Sequence, residues 1–510
     1  MKKQFLTLLF CSLSFLLFAQ NDQTPTPQWR PLYHFTPATN WTNDPNGLIY
    51  VNGEYHLYNQ QNPFENKWGH MSWGHATSTD LMHWKHLPIA IPEVLNGSDT
   101  TWIFSGSAVL DKNNTSGFCK NSNCLVAVYT AHQPNIKKES QYIAYSNDGG
   151  NSYTSYEKNP VIDLNKKDFR DPNVFWYEPG KFWLMTVVLP AEHKARFYSS
   201  PDLKNWTLLS EFGPQGYTEA YWECPFLIQL PVEGSNQKKW VLVISAAGGE
   251  RGVFEHYFVG DFDGKEFKND NAPGLILPLD YGDTYYAAIP WNNVPGEAKT
   301  YIGWMVPNPQ QTYPWRGQMS IPRDMSLKQT KDGYRLIQTP AAIITKNLDK
   351  LSHGNVLQVS SFKINNEEKP LDEKSKIKGN AYWMNAELSV EPGAVAGFKI
   401  AQRKDKDNKT VAETVIGYDA TTHQVYVDRS NAGGKLNDKK LKQTIDVSND
   451  SKTLRLTILV DRSSLEVFVN DGEGVITTYI YPEENADKIA AFATGGLATI
   501  NFLKIWDLYK

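Results

Sequence analysis

Asn40-Trp-Thr-Asn-Asp-Pro-Asn-Gly47 runs directly into the alternating segment Leu48-Ile-Tyr-Val-Asn-Gly-Glu-Tyr-His-Leu-Tyr58. Asp44-Pro45-Asn46-Gly47 taken alone is turn chemistry: Asp and Asn bond nearby backbone, Pro fixes φ and Gly accepts positive φ. Recurrence argues for more than a turn. A second Asp-Pro-Asn stands at Arg170-Asp-Pro-Asn173, and Trp222-Glu-Cys-Pro225 is a third acid with proline close by. Asp44, Asp171 and Glu223 each lie beside an apolar, strand-like run, namely Leu48–Tyr50, Val174–Trp176 and Phe226–Leu230. A turn that only reverses the chain needs no carboxylate in all three copies. Three acids at strand ends can meet in one funnel.

Outward from these stretches, helical periodicity is scarce and short β-type runs dominate. Leu125-Val-Ala-Val-Tyr-Thr130, Phe182-Trp-Leu-Met-Thr-Val-Val188, Trp240-Val-Leu-Val-Ile244 and Lys299-Thr-Tyr-Ile-Gly-Trp-Met305 are examples, each bounded by Gly, Pro, Asn or Asp. A weak repeat accompanies them. Asp80, Asp148, Asp202 and Asp263 are each followed four or five residues later by an aromatic. Hairpin tips recurring every roughly 60 residues fit a four-stranded unit with its loops, a long version of a propeller blade. Residues 30–340 have room for five such units, whose innermost strands would converge on one mouth of a central channel. Beyond Thr339-Pro340 the repeat stops. The charged segment Asn365-Asn-Glu-Glu-Lys-Pro-Leu-Asp-Glu-Lys374 reads as a solvated loop. Strict alternation then appears in Leu454–Ile458, Leu465–Asn470 and His423–Asp428, the half-buried strand pattern of a β-sandwich over 352–510. The expected fold is all-β, a five-bladed propeller followed by a sandwich, the latter structural in role.

Composition is consistent with this. At 510 residues two domains are expected, and 41% hydrophobic with 21% charged residues describes a globular chain with ample core. The formal charge of −4 becomes more negative if Lys2 and Lys3 are lost, which argues against nucleic acid or an anionic membrane as partner. Lys2-Lys3, the apolar run Phe5 to Phe18 and Ala19 form the pattern of an export signal over 1–19. That run is too short to span a bilayer comfortably and no later one rivals it, so no transmembrane segment is expected and the mature chain is placed in the periplasm or outside the cell. Phe10 is bulky where lipid-anchor sites resemble small-residue patterns, so an anchor at Cys11 is not the expectation. Cys119 and Cys124, close together in a Gly/Asn/Ser-rich loop, can form a small disulfide there. Cys224 reads as a buried small hydrophobe, with no His near it in sequence to activate it. His70 and His75 lack a third ligand and are read as structural, so no metal is assigned. Nothing in the sequence sets an oligomeric state.

Taken together and in order, Trp41-Thr-Asn-Asp-Pro-Asn-Gly47, Gln60-Gln-Asn-Pro63 with Trp68-Gly69, Trp73-Gly-His-Ala-Thr-Ser78, Phe104-Ser-Gly-Ser107, Phe169-Arg-Asp-Pro172, Glu223-Cys-Pro225 and Trp315-Arg-Gly317 with Pro322-Arg-Asp324 resemble the family 32 glycoside hydrolases. These are invertases, levanases, inulinases and fructan β-fructosidases. The resemblance covers nearly the whole mature chain, including Asp461-Arg-Ser-Ser-Leu-Glu-Val-Phe468. It implies a five-bladed propeller with a β-sandwich, and retaining hydrolysis of β-fructofuranosidic bonds in fructans or sucrose, without a cofactor. By the same resemblance Asp44 is the nucleophile, Glu223 the acid and then the base, and Asp171 the acid that holds ring hydroxyls. Arg170 beside Asp171 would keep it ionised. Asn43, Gln60, Trp68, Phe104, Ser105, Arg170 and Trp315 match positions that bind substrate. Thr42 departs from the frequent Met and is expected at the pocket floor. Exo-hydrolysis releasing fructose is the expectation; an endo-acting levanase, a fructosyltransferase, an inverting hydrolase on a related scaffold and a non-catalytic carbohydrate-binding propeller are the rivals.

Overall fold

The computed structural model describes residues 25–508 except 97–98, 121–123, 308–311, 372–376, 378–379, 434–435, 437–439 and 449–452. The export signal read at 1–19, with Cys11, lies outside the described residues.

The apolar runs picked out by pattern are strands: Leu125–Gln133, Phe182–Leu189, Lys238–Gly248 and Thr300–Met305. They belong to five antiparallel sheets that follow one another along the chain, each the unit that buries its two faces against its neighbours. The innermost strands are Asn40–Val51, Asp99–Leu110, Arg170–Tyr177, Tyr221–Pro231 and Tyr285–Pro290. The short strand Trp315–Arg316 leaves the fifth blade and pairs in parallel with Asn40 and Trp41 of the first, which closes the ring. Asn292 fills the far end of the channel. Its amide donates to the carbonyls of Ala108 at 2.9 Å and Val174 at 3.0 Å, and its backbone bonds to Leu48 and Tyr50.

The repeated aspartates sit where the sequence repeat puts them, in the connection from the third to the fourth strand of blades one to four. Each carboxylate accepts backbone N–H groups of the following residues: Met82 and His83 for Asp80, Asn151 and Ser152 for Asp148, Lys204 and Asn205 for Asp202, Lys265 and Glu266 for Asp263. A short acidic side chain that caps its own turn is the reason the residue recurs. Cys119 and Cys124 are joined in a disulfide.

The C-terminal part forms one hydrogen-bonded sheet of 11 strands folded into two layers. The 20-residue strand Lys488–Asp507 joins them, its first half pairing with Val395–Lys404 and its second with Ala381–Val390. Ile364, Phe398, Ile416, Ile458, Val467 and Ile500 fill the space between. One reading is corrected here: of the segment 365–374, residues 365–370 are not a solvated loop, and 372–374 lie outside the described residues. Phe362–Pro370 is a strand along Lys488–Asp507, pairing Glu367 with Ala493 and Pro370 with Ala490. It is an edge strand, where charges are tolerated, and Glu368 is paired with Lys399 at 2.9 Å.

Between the two parts lies a buried polar cluster. His34 holds Asp461 through Nδ1 and Glu466 through Nε2, both at 2.8 Å. Arg323 of the fifth blade donates to Glu466 at 2.5 Å and to Asp280 at 3.0 Å.

Candidate active site

The acid-proline stretches are not strand-flanking turns, as their composition alone suggests. They lie inside strands, at bulges. Between Thr42 and Pro45, Ile103 and Gly106, Arg170 and Asn173, Glu223 and Phe226, and Tyr286 and Ile289, the innermost strand advances three residues while its neighbour advances two. An extra residue bends a strand and re-aims its side chains. All five blades do this at the same level of the channel, which is how Asn43, Asp44, Phe104, Arg170, Asp171, Glu223 and Tyr286 come to line one pocket of about 400 Å³. Asp171, Cys224 and Ala287 are in the left-handed region, at φ of 65°, 46° and 55°. Their N–H groups are taken by side chains: Asp171 by Thr130 Oγ1 at 2.9 Å, Cys224 by Asp171 Oδ2 at 2.9 Å and Ala287 by Ser245 Oγ at 3.2 Å.

Asp44 is held on both oxygens. Asn43 Nδ2 donates to Oδ1 at 3.0 Å; Gln60 Nε2 and Ser105 Oγ donate to Oδ2 at 3.1 and 2.5 Å. Gln60 and Ser105 also bond each other, and Trp41 Nε1 fixes Asn43 at 2.8 Å. Burial pushes the Asp44 carboxyl above the usual range, the Ser105 and Asn43 hydrogen bonds pull it back, and the nearby Glu223 adds to the rise. Glu223 is gripped differently. Arg170 donates from Nε and Nη2 to Oε1 at 3.1 and 3.0 Å, and the Tyr286 hydroxyl meets Oε2 at 2.5 Å. Burial raises Tyr286 well above its ordinary value, with the Glu223 charge adding to it, so the phenol stays neutral.

Asp171 is 6% exposed, and burial raises its carboxyl well above the carboxylate range. Arg170 pulls it down as expected from sequence, but is outweighed by burial and by the charges of Glu223 and Asp44. The guanidinium spends its hydrogen bonds on Glu223, on Glu139 at 3.1 Å and on Asp168 at 3.1 Å.

Of the other residues selected from sequence, Gln60, Trp68 and Phe104 line the pocket, and Ser105 reaches it through Asp44. Trp68 stands half exposed at the rim, edge-on to Trp102 at 5.3 Å. Trp315 is not a pocket residue: it is 2% exposed, its backbone closes the ring of blades, and the Arg30 guanidinium lies 4.1 Å from its ring. Thr42 is also behind the pocket, fully buried, with its hydroxyl between Gln60 O and Asn59 Nδ2. His70 and His75 point to separate partners, Glu93 and His56. Cys224 is buried as expected, but its Sγ lies 3.6 Å from Asp44 and 3.7 Å from Asp171. Sequence reasoning missed Tyr286, Trp304, Glu139, His132 and Asp168, all of which line the pocket. Tyr285-Tyr-Ala-Ala-Ile-Pro290 carries the fifth bulge without an acid next to proline, so the signal that marked the bulges of blades one, three and four is absent. The Trp304 indole N–H is buried and has no protein partner.

Comparison with known proteins agrees along the whole chain. The family model described as Glycosyl hydrolases family 32 N-terminal domain matches residues 34–340, and the one described as Glycosyl hydrolases family 32 C terminal matches 348–507. The chain is 42% identical to a levanase of Bacillus subtilis over 519 residues, covering 98% of this chain and 74% of that protein. It is 37% identical to an extracellular exo-inulinase of Aspergillus niger, covering 95% of each. The crystal structure of an exo-inulinase from Aspergillus awamori superposes with a TM-score of 0.84 at 34% identity, over 96% of this chain and 100% of that one.

Proposed function

The chain belongs to glycosyl hydrolase family 32 and is a glycosidase; on that premise we propose that it is a retaining β-fructofuranosidase that removes terminal fructosyl units from fructans and from sucrose. The observation that carries this reading is the convergence of Asp44, Asp171 and Glu223 on one pocket, each gripped by different partners.

Retaining hydrolysis uses one carboxylate to attack the anomeric carbon and a second carboxyl to protonate the departing oxygen. Asp44 takes the first role. The donors from Asn43, Gln60 and Ser105 fix its orientation. They also stabilise its negative charge when water releases it from the covalent intermediate. Glu223 takes the second role. Arginine can only donate, so the oxygen facing Arg170 cannot carry the proton. That leaves Oε2, next to the Tyr286 hydroxyl, which can accept from a protonated carboxyl and donate to an ionised one. The same oxygen then takes a proton from water in the second step. Asp171 accepts the Cys224 N–H on Oδ2 and faces the pocket, where its carboxyl holds sugar hydroxyls. Trp68, Phe104 and Trp304 supply ring faces around the sugar.

The exo reading rests on pocket size. A volume of about 400 Å³ lies near the lower end of small-ligand pockets, about 300–1,000 Å³, which suits a chain end rather than a polymer segment. Residues 30–340 form the catalytic domain and 352–510 the sandwich in this proposal. Among the described residues no helix is long and apolar enough to cross a membrane. The named fungal relative is extracellular, which supports export through 1–19. Proton NMR of the first-formed anomer and a product profile on levan and inulin test the proposal. Retained configuration with early free fructose is expected; inversion, or early oligosaccharides, would refute the corresponding half.

A further inference from the structure

Glu255 is a buried acid that the mechanism above leaves unused. It lies on the third strand of blade four, Gly252–Phe262, 1% exposed. Registers place Glu223 opposite Ser245 and Ser245 opposite Glu255, so the three form a row across the blade. Ser245 Oγ donates to Glu255 Oε1 at 2.6 Å, and Glu255 Oε2 has no partner. The row reaches sideways into blade five. The two residues of that blade's bulge lack ladder partners, and their N–H groups end on this pair: Ala287 on Ser245 Oγ at 3.2 Å, Ala288 on Glu255 Oε1 at 2.8 Å. The residue just before the bulge is Tyr286, whose hydroxyl meets Glu223 Oε2.

We propose that Glu255, acting through Ser245, is a positioning residue for proton transfer: it captures the bulge of the fifth blade and thereby aims Tyr286 at Glu223. The proposal rests on the reading of Glu223 as acid and base. A left-handed Ala is costly backbone, and it holds only while its neighbours over-determine it; here the determinants are one hydroxyl and one carboxyl oxygen. Remove them and two buried N–H groups lose their acceptors, so the bulge rearranges and Tyr286 moves with it. The N–H and O–H donors to Asp44 come from blades one and two, and its contact from blade four, Cys224 Sγ at 3.6 Å, is outside this row. Burial raises Glu255 to about 7, against the hydrogen bonds from Ser245 and Ala288. A neutral carboxamide is therefore a fair replacement, keeping the accepting oxygen.

The test compares kcat/KM, which reports the first chemical step, on sucrose and on a nitrophenyl β-fructofuranoside whose leaving group needs little protonation. Glu255→Ala is expected to lose on the order of 10-fold or more on sucrose and to stay within about 3-fold on the aryl substrate. Glu255→Gln should restore sucrose activity, and adding Glu255→Ala to Tyr286→Phe should cost little more than Tyr286→Phe alone. If Glu255→Ala does not fold, Ser245→Ala is measured in its place with the same expectation. Equal losses on both substrates, no loss on either, or losses additive with Tyr286→Phe would overturn the proposal. Glu223→Gln is the control: if it shows no leaving-group dependence, the assignment of the acid fails rather than the role of Glu255.

Discussion

Replacing His34 should remove a pH-dependent clamp between the propeller and the sandwich. Burial alone would lower the imidazole's pKa, but Asp461 and Glu466 on its two nitrogens raise it to about 9. In an unfolded chain it sits near ~6.5. A gap of about 2.5 pH units corresponds to about 3 kcal/mol of stability. Because the folded value is the higher one, that stabilisation is present in full below about pH 6.5 and is lost as pH rises through about 9. Taking about 2 cal/mol/K per residue for the entropy of unfolding, it amounts to roughly 3 °C in Tm for the whole chain. The assay is calorimetry of wild type and His34→Gln from pH 6 to 10. The variant should melt lower at pH 6.5, where Asp461 has lost its imidazolium and Glu466 keeps only Arg323 as a cation, and the two curves should converge above about pH 9. Parallel curves across that range would show that His34 is neutral in the fold and would refute the reasoning.

Asp44→Asn and Glu223→Gln should each lower turnover by several orders of magnitude with thermal unfolding unchanged; near wild-type activity for either would remove it from the mechanism. On an aryl fructoside Glu223→Gln should lose less in the first step than Asp44→Asn does. Trp68→Ala, at a half-exposed rim position, should change stability by less than about 0.5 kcal/mol while raising KM for fructans, and an unchanged KM would exclude it from substrate contact. Asp171→Ala should cost more than Asp171→Asn, since only the amide keeps an acceptor for the Cys224 N–H; equal losses measured as kcat/KM on sucrose would argue that Asp171 acts on the sugar alone.

The fold was legible because both of its devices leave marks on single residues. A carboxylate that caps its own turn can only be a short acid, so Asp80, Asp148, Asp202 and Asp263 betray the blades one by one. Asp44, Asp171 and Glu223 were legible because proline follows each within two residues. What stayed hidden depends on space rather than pattern. Tyr286 and Glu139 occupy strand positions that alternate like any other, and only the ring of blades brings them to Glu223 and Arg170. Trp315 failed in the opposite sense: a motif residue whose ring is consumed by Arg30 and whose backbone closes the propeller. The charged run at 365–370 misled because an edge strand tolerates what a central strand would not.

The five bulges explain why a scaffold of repeated sheets can hold an asymmetric site. Each innermost strand takes one extra residue at the same height, so those of blades one and three give the pocket two neighbouring residues and the others one, without altering the outer strands. From the third blade on, the left-handed residue of each bulge is secured by the blade before it: Thr130 of blade two holds Asp171, Asp171 holds Cys224, and Ser245 of blade four holds Ala287. The bulges thus form a chain of dependence that runs around the channel towards Glu223 and Tyr286. Asp171 is a link in that chain as well as a group facing the sugar, so its carboxylate positions the strand that carries Glu223. The acid that protonates the leaving group therefore owes its orientation to residues on three blades, whereas the N–H and O–H donors to Asp44 are on blades one and two, and blade four adds the Cys224 Sγ contact at 3.6 Å. Damage to the later blades should consequently fall on proton transfer before it falls on nucleophilic attack.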